Sequence, residues 1–375
     1  MTGYSHSTCS AERPTSGTRA GRSPLTRTQS NAASQSRGKS CSTMRAIRFE
    51  TSGTAHVVDI PRPVPGPGEV LLAVTSTGVC GSDLAALRGT HPFRVPPLIS
   101  GHEAGGRVAE VGPDVADVAV GDRVVVDPQR PCGTCDLCTT GGYHLCASKQ
   151  MLGVAEWDGS FAEHVVVPAY TLVPAPDGVA EEHLALAEPV AVAAHAVAQL
   201  GERRRERALV LGGGTIGALV ARVLADGGST VVDVVEPREH VHEVLRAVGA
   251  TGVHLPDAAL EPGSYDAVFV AAGVPALVER AFEAVAPGGA IVQVAVFNQP
   301  VPVPVGQLQV REIALLGTAM YTKDDFRTAL DVLARHPGLA DVLVSRTTSL
   351  EEGAAITTTM AAEGPGDIVK LVMVP

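Results

Sequence analysis

The sequence lacks any long, uninterrupted apolar segment. Its longest apolar run, residues 184–200, is interrupted by Glu188, His195 and Gln199. A membrane-spanning helix needs about 20 uncharged apolar residues, so the sequence excludes one. Aromatic residues are also scarce, at 3% of the 375 residues, but hydrophobic residues make up 45% and exclude a disordered chain. The 40 Gly and 27 Pro exclude a coiled coil, and the length predicts a protein of two globular domains.

The N-terminal segment differs from the rest in composition. Residues 1–43 are rich in Ser, Thr, Arg and Gly, which predicts either a disordered tail or a mis-assigned start upstream of Met44. An Arg- and Ser-rich start also fits an organelle transit peptide, although no amphipathic apolar stripe supports that alternative. No apolar stretch typical of a secretory signal is present. We therefore expect a cytoplasmic protein whose cysteines are thiols or metal ligands rather than disulfides.

The chain is acidic, with a formal net charge of −11. Its first 43 residues hold six basic residues against one acidic residue, so the remainder is more acidic than the whole. An acidic surface repels phosphate groups instead of exchanging counterions with them. We therefore expect no nucleic-acid partner.

The sequence pattern changes near residue 190. Residues 44–190 hold short apolar runs bounded by Gly, Pro and Asp, which predict a β-rich barrel or sandwich. Residues 191–335 alternate apolar strands with helix-like stretches, which predict a doubly wound, mostly parallel sheet. Residues 341–375 return to β-like runs that could pack on the first domain. The prediction is an α/β protein in which residues 336–375 complete the domain formed by 44–190.

Four cysteines lie close together in a glycine-rich loop with the spacing C-x2-C-x2-C-x7-C: Cys132, Cys135, Cys138 and Cys146. Four thiolates at this spacing can converge on one tetrahedral zinc and stabilise a lobe that lacks its own core. An iron–sulfur site or a surface zinc knuckle are alternatives, and the acidic charge opposes the knuckle. Four protein ligands leave no open position, so the spacing predicts a structural zinc.

A second set of possible metal ligands is spread over the chain: Cys80, His102, Glu103 and Glu188. Separately, each has an ordinary structural explanation as a buried thiol, a capping pair or a surface carboxylate. Together, a thiolate, an imidazole and carboxylates suit a zinc with an exchangeable position. Such a zinc can polarise an alcohol or carbonyl oxygen.

A glycine-rich loop of the form G-x-G-x-x-G follows a predicted strand and opens a predicted helix. Its candidate cofactor contacts are Gly212, Gly214, Ile216 and Gly217. An acidic residue, Glu236, ends the next predicted strand, and this context indicates a dinucleotide site. Glu236 would accept hydrogen bonds from ribose hydroxyls and repel a 2′-phosphate, which favours NAD(H) over NADP(H). Arg238 could instead receive that phosphate, or be a solvated arginine in the first turn of a helix.

These motifs together resemble the zinc-containing medium-chain alcohol dehydrogenases. The most specific part is the pattern G-H-E-x2-G-x5-G-x2-V over residues 101–115, and the resemblance extends from Met44 to Pro375. The segment Glu-Pro-Val-Ala-Val at 188–192 is similar to the sorbitol, butanediol and threonine dehydrogenase branch. The resemblance implies a GroES-like catalytic domain interrupted by a Rossmann domain, and a homodimer or homotetramer.

The resemblance also implies a role for each matching residue. Cys80, His102 and either Glu103 or Glu188 would hold a catalytic zinc, with the two glutamates alternating during turnover. Asp83 would orient the metal-bound histidine, and Ser82 would bind the substrate oxygen and begin proton removal. Lys370 would contact the cofactor pyrophosphate, or be a surface lysine. The family usually has a histidine that passes the proton to solvent where this chain has Ala85.

The resulting hypothesis is a zinc-dependent NAD(H) oxidoreductase that interconverts a secondary alcohol and its ketone. The small-molecule substrate would be a diol, a polyol or an aminocyclitol-like compound, because some relatives that act on aminocyclitols also lack the relay histidine. An NADPH-linked biosynthetic ketone reductase is one alternative, and a non-catalytic redox sensor that binds zinc and nucleotide is another. Phe93, Trp157 and Tyr321 are candidate pocket residues, although each could equally be a packing aromatic.

Overall fold

A computed structural model of the protein describes residues 42–375. Almost all of the predicted tail, residues 1–43, therefore lies outside the described residues. Within the described part of the chain, no helix combines the length and apolar character needed to cross a membrane.

The first half consists mainly of short strands, as its turn-rich sequence predicts. The strands are β1 (Thr43–Phe49), β2 (Ala55–Pro61), β3 (Glu69–Gly78), β4 (Leu98–Ile99), β5 (Glu103–Val111), β6 (Arg123–Val126), β7 (Gln129–Arg130), β8 (Gln150–Met151), β9 (His164–Pro168) and β10 (Leu172–Pro174). Two short helices interrupt them, α1 (Gly81–Leu87) and α2 (Asp136–Thr139), with 3-10 turns at Tyr143–Leu145, Ala169–Thr171 and Glu181–Leu186.

The C-terminal segment joins the main sheet of this half. It contains α9 (Leu339–Leu343), β17 (Val344–Thr348), α10 (Leu350–Glu363) and β18 (Lys370–Met373). The sheet has the order β10–β6–β5–β3–β18–β17, with β9 also paired to β3. Because β18 runs antiparallel to β3, Val372 lies opposite Gly78, and the last strand lies next to the start of α1.

The prediction of β-like runs throughout residues 341–375 is wrong in part. Residues 350–363 form α10, whose first turn is capped by the Ser349 hydroxyl accepting from the Glu352 N–H at 3.3 Å. The buried positions in this segment recur at helical spacing: Leu350, Gly353, Ala354, Thr357, Met360 and Ala361. Three consecutive threonines favour a strand locally, but burial of this small-residue face favours the helix.

The second half forms a parallel six-stranded sheet with helices packed on it. Its strands are β11 (Arg207–Leu211), β12 (Val231–Val235), β13 (Gly252–His254), β14 (Tyr265–Val270), β15 (Val285–Gln293) and β16 (Ala314–Gly317). The helices are α3 (Ala187–Ala198), α4 (Thr215–Asp226), α5 (His242–Ala247), α6 (Ala276–Ala284), α7 (Val305–Val310) and α8 (Lys323–Arg335), with a 3-10 turn at Glu239–Val241. The predicted α/β fold class, with a doubly wound parallel sheet beside a strand-rich domain, is confirmed.

The strand order of this sheet determines where a ligand can bind. The order is β13–β12–β11–β14–β15–β16, so the order reverses between β11 and β14. In doubly wound sheets, ligands bind at the carboxyl ends of the strands at such a reversal. The glycine-rich loop follows β11 at this point.

Helix α3 links the two halves and carries Glu188 in its first turn. Pro189 is tolerated there because the N–H groups of a first helical turn have no partner within the helix. Apart from His195, the remainder of α3 is apolar, and the helix packs against α4 and α8 in the core of the second half. Packing of α3 against the Rossmann helices thus holds Glu188 at the border of the strand-rich half.

Candidate active site

The four predicted cysteine ligands converge in one lobe. Their sulfur atoms all lie within 4.8 Å of one another, and the Sγ atoms of Cys135 and Cys138 are 3.4 Å apart. Strands β7 and β8 pair at the base of the lobe and bring the two ends of the loop together. Backbone N–H groups of Thr134 and Cys135 lower the pKa of the Cys132 thiol to about 6, which favours the thiolate. Four thiol donors without a fifth ligand fit a closed tetrahedral zinc.

The second predicted ligand set converges in part. Ligand atoms of Cys80, His102 and Glu103 lie within 4.8 Å of one another, and both His102 and Glu103 are buried. Cys80 stands immediately before α1, as the residue that caps its first turn. A thiol, an imidazole and a carboxylate fit a zinc that keeps one position free for an exchangeable ligand. These three residues would hold that ion.

Asp83 is fully buried beneath this ligand set, at 0% exposure. One carboxylate oxygen accepts from the Cys80 N–H at 3.0 Å, and the other accepts from the Ser100 hydroxyl at 2.6 Å. The same Oδ1 atom lies 3.7 Å from His102 Nδ1, which is beyond hydrogen-bond distance. Burial alone would raise the pKa of Asp83, but His102, Arg94 and Ser100 together lower it below its ordinary value. The anion therefore faces the predicted histidine ligand without hydrogen-bonding to it.

Arg94 and Ser100 are site residues that the sequence analysis missed. The Arg94 guanidinium is 4% exposed and donates to the Ser100 hydroxyl at 3.3 Å and to the Gly153 carbonyl at 3.1 Å. Neither residue belongs to a motif, and an arginine in a Pro-rich loop looks like a surface residue in the sequence. The only indication in the sequence was the positive charge of Arg94, which lies close to the His102-Glu103 pair.

Glu188 lies apart from the ligand cluster of Cys80, His102 and Glu103. Its carboxylate accepts a hydrogen bond from the Tyr321 hydroxyl at 2.5 Å. Burial, together with the neighbouring Glu103, raises the pKa of Glu188 to about 7, against the opposing effects of His102, Tyr321 and Lys370. The two predicted glutamate ligands therefore have different environments.

Lys370 is buried on the last strand, at 2% exposure, so the alternative of a surface lysine is wrong. Its ammonium donates to the Val79 carbonyl at 3.0 Å and forms an ion pair with the Glu103 carboxylate. The preceding residue, Val369, accepts a hydrogen bond from Thr215 at the start of α4. Lys370 thus lies between the ligand set and the glycine-rich loop, and its contact with pyrophosphate remains a prediction.

Ser82 is the second residue of α1, between Cys80 and Asp83, and is partly exposed. Ala85 lies one helical turn further on, and its methyl group cannot relay a proton. The Ala85 carbonyl accepts from the N–H groups of Thr90 and His91 at 2.9 and 3.2 Å. The role of Ser82 in proton removal remains a prediction.

The glycine-rich loop makes the tight turn that its motif predicts. Gly212 has a φ of +110°, a conformation that a side chain would disfavour. A Cβ atom at Gly217 would lie 1.8 Å from the Gly212 carbonyl oxygen, so only glycine allows the helix to start this close to the strand. Gly214 stands immediately before α4, and Ile216 is the second residue of that helix. The loop leaves the helix N-terminus available to an anionic group.

Glu236 lies directly beside this loop and is 3% exposed. It accepts hydrogen bonds from the Gly213 N–H at 2.9 Å and from the Arg238 Nε at 2.8 Å. Burial opposes ionisation, but Arg238 and Gly213 outweigh it and lower the pKa of Glu236 below its ordinary value. Arg238 is therefore paired with the acid and is not simply a solvated arginine.

The three aromatic pocket candidates differ in exposure. Tyr321 is fully buried against Phe326, and Trp157 is 7% exposed with the Arg130 guanidinium 4.4 Å from its ring centre. Phe93 is 72% exposed. The first two are packing aromatics, and the Tyr321 hydroxyl contacts one of the predicted ligands, Glu188.

Comparisons with known proteins confirm the predicted combination of a GroES-like domain with a Rossmann domain. Residues 66–177 match the alcohol dehydrogenase GroES-like domain, and residues 215–335 match the zinc-binding dehydrogenase domain. The chain is 33% identical over 300 residues to a 2-dehydro-3-deoxy-L-galactonate 5-dehydrogenase of Pseudoalteromonas atlantica, covering 78% of this chain and 87% of that protein. It is 30% identical to a sorbitol dehydrogenase of Halalkalibacterium halodurans, covering 82% and 94% of the two chains.

A solved structure from Sinorhizobium meliloti, described as bound to NADP, is similar over the same region. Its identity is 32%, its TM-score is 0.82, and the match covers 89% of this chain and 100% of that one. Two family domains match this chain, and relatives of 30% identity or more match over more than two thirds of its length. The chain belongs to the zinc-type medium-chain alcohol dehydrogenase family, whose members are oxidoreductases acting on CH–OH groups.

Proposed function

We propose that this protein oxidises a secondary alcohol of a diol or polyol to a ketone, reversibly, with NAD as the preferred cofactor. The observation that carries the proposal is the convergence of Cys80, His102 and Glu103 immediately before a helix whose second residue is Ser82. This donor set leaves room for an exchangeable oxygen ligand. A hydroxyl group stands next to it in sequence.

The chain's own residues would position the substrate and move its proton. When bound, zinc supplies Lewis-acid polarisation of the substrate oxygen, and NAD accepts the hydride. Ser82 would accept the hydroxyl proton, and the Asp83 anion would hold the Cys80 backbone in place by accepting its N–H. Asp83 would also attract the ligand histidine through its charge, from 3.7 Å. Because Ala85 cannot relay a proton, Ser82 would lose it to water or to the cofactor ribose hydroxyls. Lys370 would neutralise Glu103 at the edge of the site.

The preference for NAD rests on Glu236. Its buried carboxylate lies at the end of β12, where a ribose hydroxyl would donate to it and a 2′-phosphate would be repelled. An NADP(H)-linked ketone reductase is the second candidate, because Arg238 lies on the same carboxylate and the structural relative from Sinorhizobium meliloti holds NADP.

The polyol class is proposed from the relatives named above, which by their names act on a deoxygalactonate and on sorbitol. A homodimer or homotetramer is also proposed. It is supported by the open edge strand β16 of the Rossmann sheet, near exposed Val305 and Val310.

One experiment tests the proposal directly. Metal content of the purified protein would be measured together with NADH and NADPH formation over secondary alcohols, diols, polyols and aminocyclitols. About two zinc ions per chain with turnover on one substrate group would support the proposal. Ser82→Ala should keep both metals and lose about 100-fold in kcat. One zinc without turnover would contradict the proposed chemistry.

A further inference from the structure

Tyr321 is fully buried, and its hydroxyl donates to Glu188 Oε1. In this contact the tyrosine hydroxyl is the donor and the carboxylate is the acceptor. Glu188 itself is 6% exposed, so solvent does not compete effectively for this carboxylate.

The tyrosine is held in place by contacts on several sides. Its backbone carbonyl accepts from Gln129 Nε2 at 3.0 Å, and its ring packs edge-on against Phe326 with centres 5.1 Å apart. The preceding residue, Met320, has a φ of +55°, a strained conformation for a side-chain-bearing residue. Helix α8 begins directly after Thr322. A hydroxyl held this firmly cannot follow Glu188 if the carboxylate moves.

The two predicted glutamate ligands have different partners, since Glu103 pairs with Lys370 and Glu188 with Tyr321. Glu103 belongs to the cluster with Cys80 and His102, while Glu188 lies outside it. An oxygen of Glu188 that accepts from Tyr321 must give up this hydrogen bond, at least in part, to become a metal ligand. A hydrogen bond to a charged group contributes enough free energy to influence that choice.

We propose that Tyr321 is a positioning residue that withholds Glu188 from the metal site of Cys80, His102 and Glu103 and thereby keeps one ligand position open for the substrate oxygen. This inference rests on the proposed function of that site. Without the tyrosine hydroxyl, the buried Glu188 carboxylate has lost its donor, and a metal ion is the partner within reach. Glu188 then takes the open position.

The test compares wild type with Tyr321→Phe, which keeps the ring packing and removes only the hydroxyl. Tyr265→Phe is the matched control, because Tyr265 is also buried and its hydroxyl donates to the Asp233 carboxylate at 2.7 Å. This pair does not belong to the metal site. The readouts are the visible absorption of the cobalt(II)-substituted full chain and the rate of zinc loss to a chelator. A Cys80→Ser sample supplies the background from the four-cysteine site.

For Tyr321→Phe we expect a changed cobalt spectrum, zinc loss from the Cys80 site slowed by about tenfold, and a raised KM for the alcohol. Tyr265→Phe should behave as wild type. Adding Tyr321→Phe to the Glu188→Gln variant should change neither the cobalt spectrum nor the zinc-loss rate, because the glutamine amide introduced at position 188 is a poor metal ligand. Glu188→Gln alone should also leave the spectrum as in wild type.

Two results would overturn the inference while leaving the proposed function intact. One is a Tyr321→Phe protein with the wild-type spectrum and zinc-loss rate. The other is a changed cobalt spectrum in Glu188→Gln alone, which would mean that Glu188 is already a metal ligand in the wild-type protein. This second measurement tests the inference even if Tyr321→Phe fails to fold. A wild-type chain that binds one zinc and shows no turnover would instead contradict the proposed function.

Discussion

Arg94 and Asp83 form a buried ion pair beside the predicted metal ligands, with the guanidinium Nη1 3.5 Å from Oδ1. Both residues are nearly inaccessible to solvent, at 4% and 0% exposure. Ser100 and the Gly153 carbonyl accept from the same guanidinium. The arginine therefore joins two loops to the carboxylate that faces His102.

Arg94→Met should destabilise the fold, because it leaves the Asp83 anion buried without its cation. We expect the free energy of unfolding to fall by about 3 kcal/mol, as when one partner of a buried ion pair is removed. Denaturant unfolding of the zinc-loaded protein measures this. Arg327→Met is the control, since the Arg327 side chain is 68% exposed and its pairing with Asp324 is solvated. Equal effects in the two variants would show that the Arg94 pair is not stabilising.

Removing one cysteine from the four-cysteine site and removing Cys80 from the other ligand set should have different consequences. Cys132→Ser should lose one zinc and lower the melting temperature, because neither α2 nor the 3-10 turn at Tyr143–Leu145 in this lobe has a buried residue. Cys80→Ser should lose the other zinc and all turnover while the circular dichroism spectrum is retained. Metal analysis and thermal melts of both variants provide the check. A Cys80→Ser chain that unfolds would indicate a structural role for that site instead.

Glu236→Gln should relax the cofactor preference. The amide keeps the shape of the side chain but no longer repels a 2′-phosphate, and Arg238 becomes free to bind one. We expect the ratio of kcat/KM for NAD to that for NADP to fall by about tenfold or more, equivalent to about 1.4 kcal/mol. The exposed Glu239→Gln serves as the control. An unchanged ratio would assign the preference to other residues.

Asp325→Asn should produce a pH-dependent loss of stability. Burial raises the pKa of Asp325, but hydrogen bonds from His195 and from the Thr322 hydroxyl and N–H lower it overall. A depressed pKa in the folded state stabilises the protein above the unfolded-state value of about 3.9, and this contribution is lost as the pH falls. The difference in unfolding free energy from wild type should therefore be about 1–2 kcal/mol near neutral pH and shrink below about pH 4.

The control for this prediction is the neighbouring residue. Asp324→Asn removes a charge from a side chain that is 86% exposed, so it should change stability little at any pH. Urea titrations of wild type and both variants over the acidic pH range measure these differences in unfolding free energy. A difference for Asp325→Asn that stays constant with pH would mean that the carboxylate charge is not what stabilises the start of α8.

Much of the fold could be predicted where local pattern and global packing agree. Within residues 191–335 the predicted alternation of strands and helices is observed, and α4 and α8 form where apolar periodicity and end signals coincide. The helix at Leu350–Glu363 could not be predicted in the same way, since its buried face is made of small residues and threonines. Only packing against the first domain distinguishes that face.

The same division between sequence and tertiary structure applies to the functional site. Sequence alone determined which ligand types exist and how they are spaced, because thiol, imidazole and carboxylate donors and glycine turns are properties of residue identity. Which acid faces which partner was decided by the tertiary structure. Tyr321 and Glu188 are 133 positions apart, and Lys370 and Glu103 are 267 positions apart, so no local pattern records these pairs. They exist because α3 packs on the Rossmann core and β18 pairs with β3 of the strand-rich half.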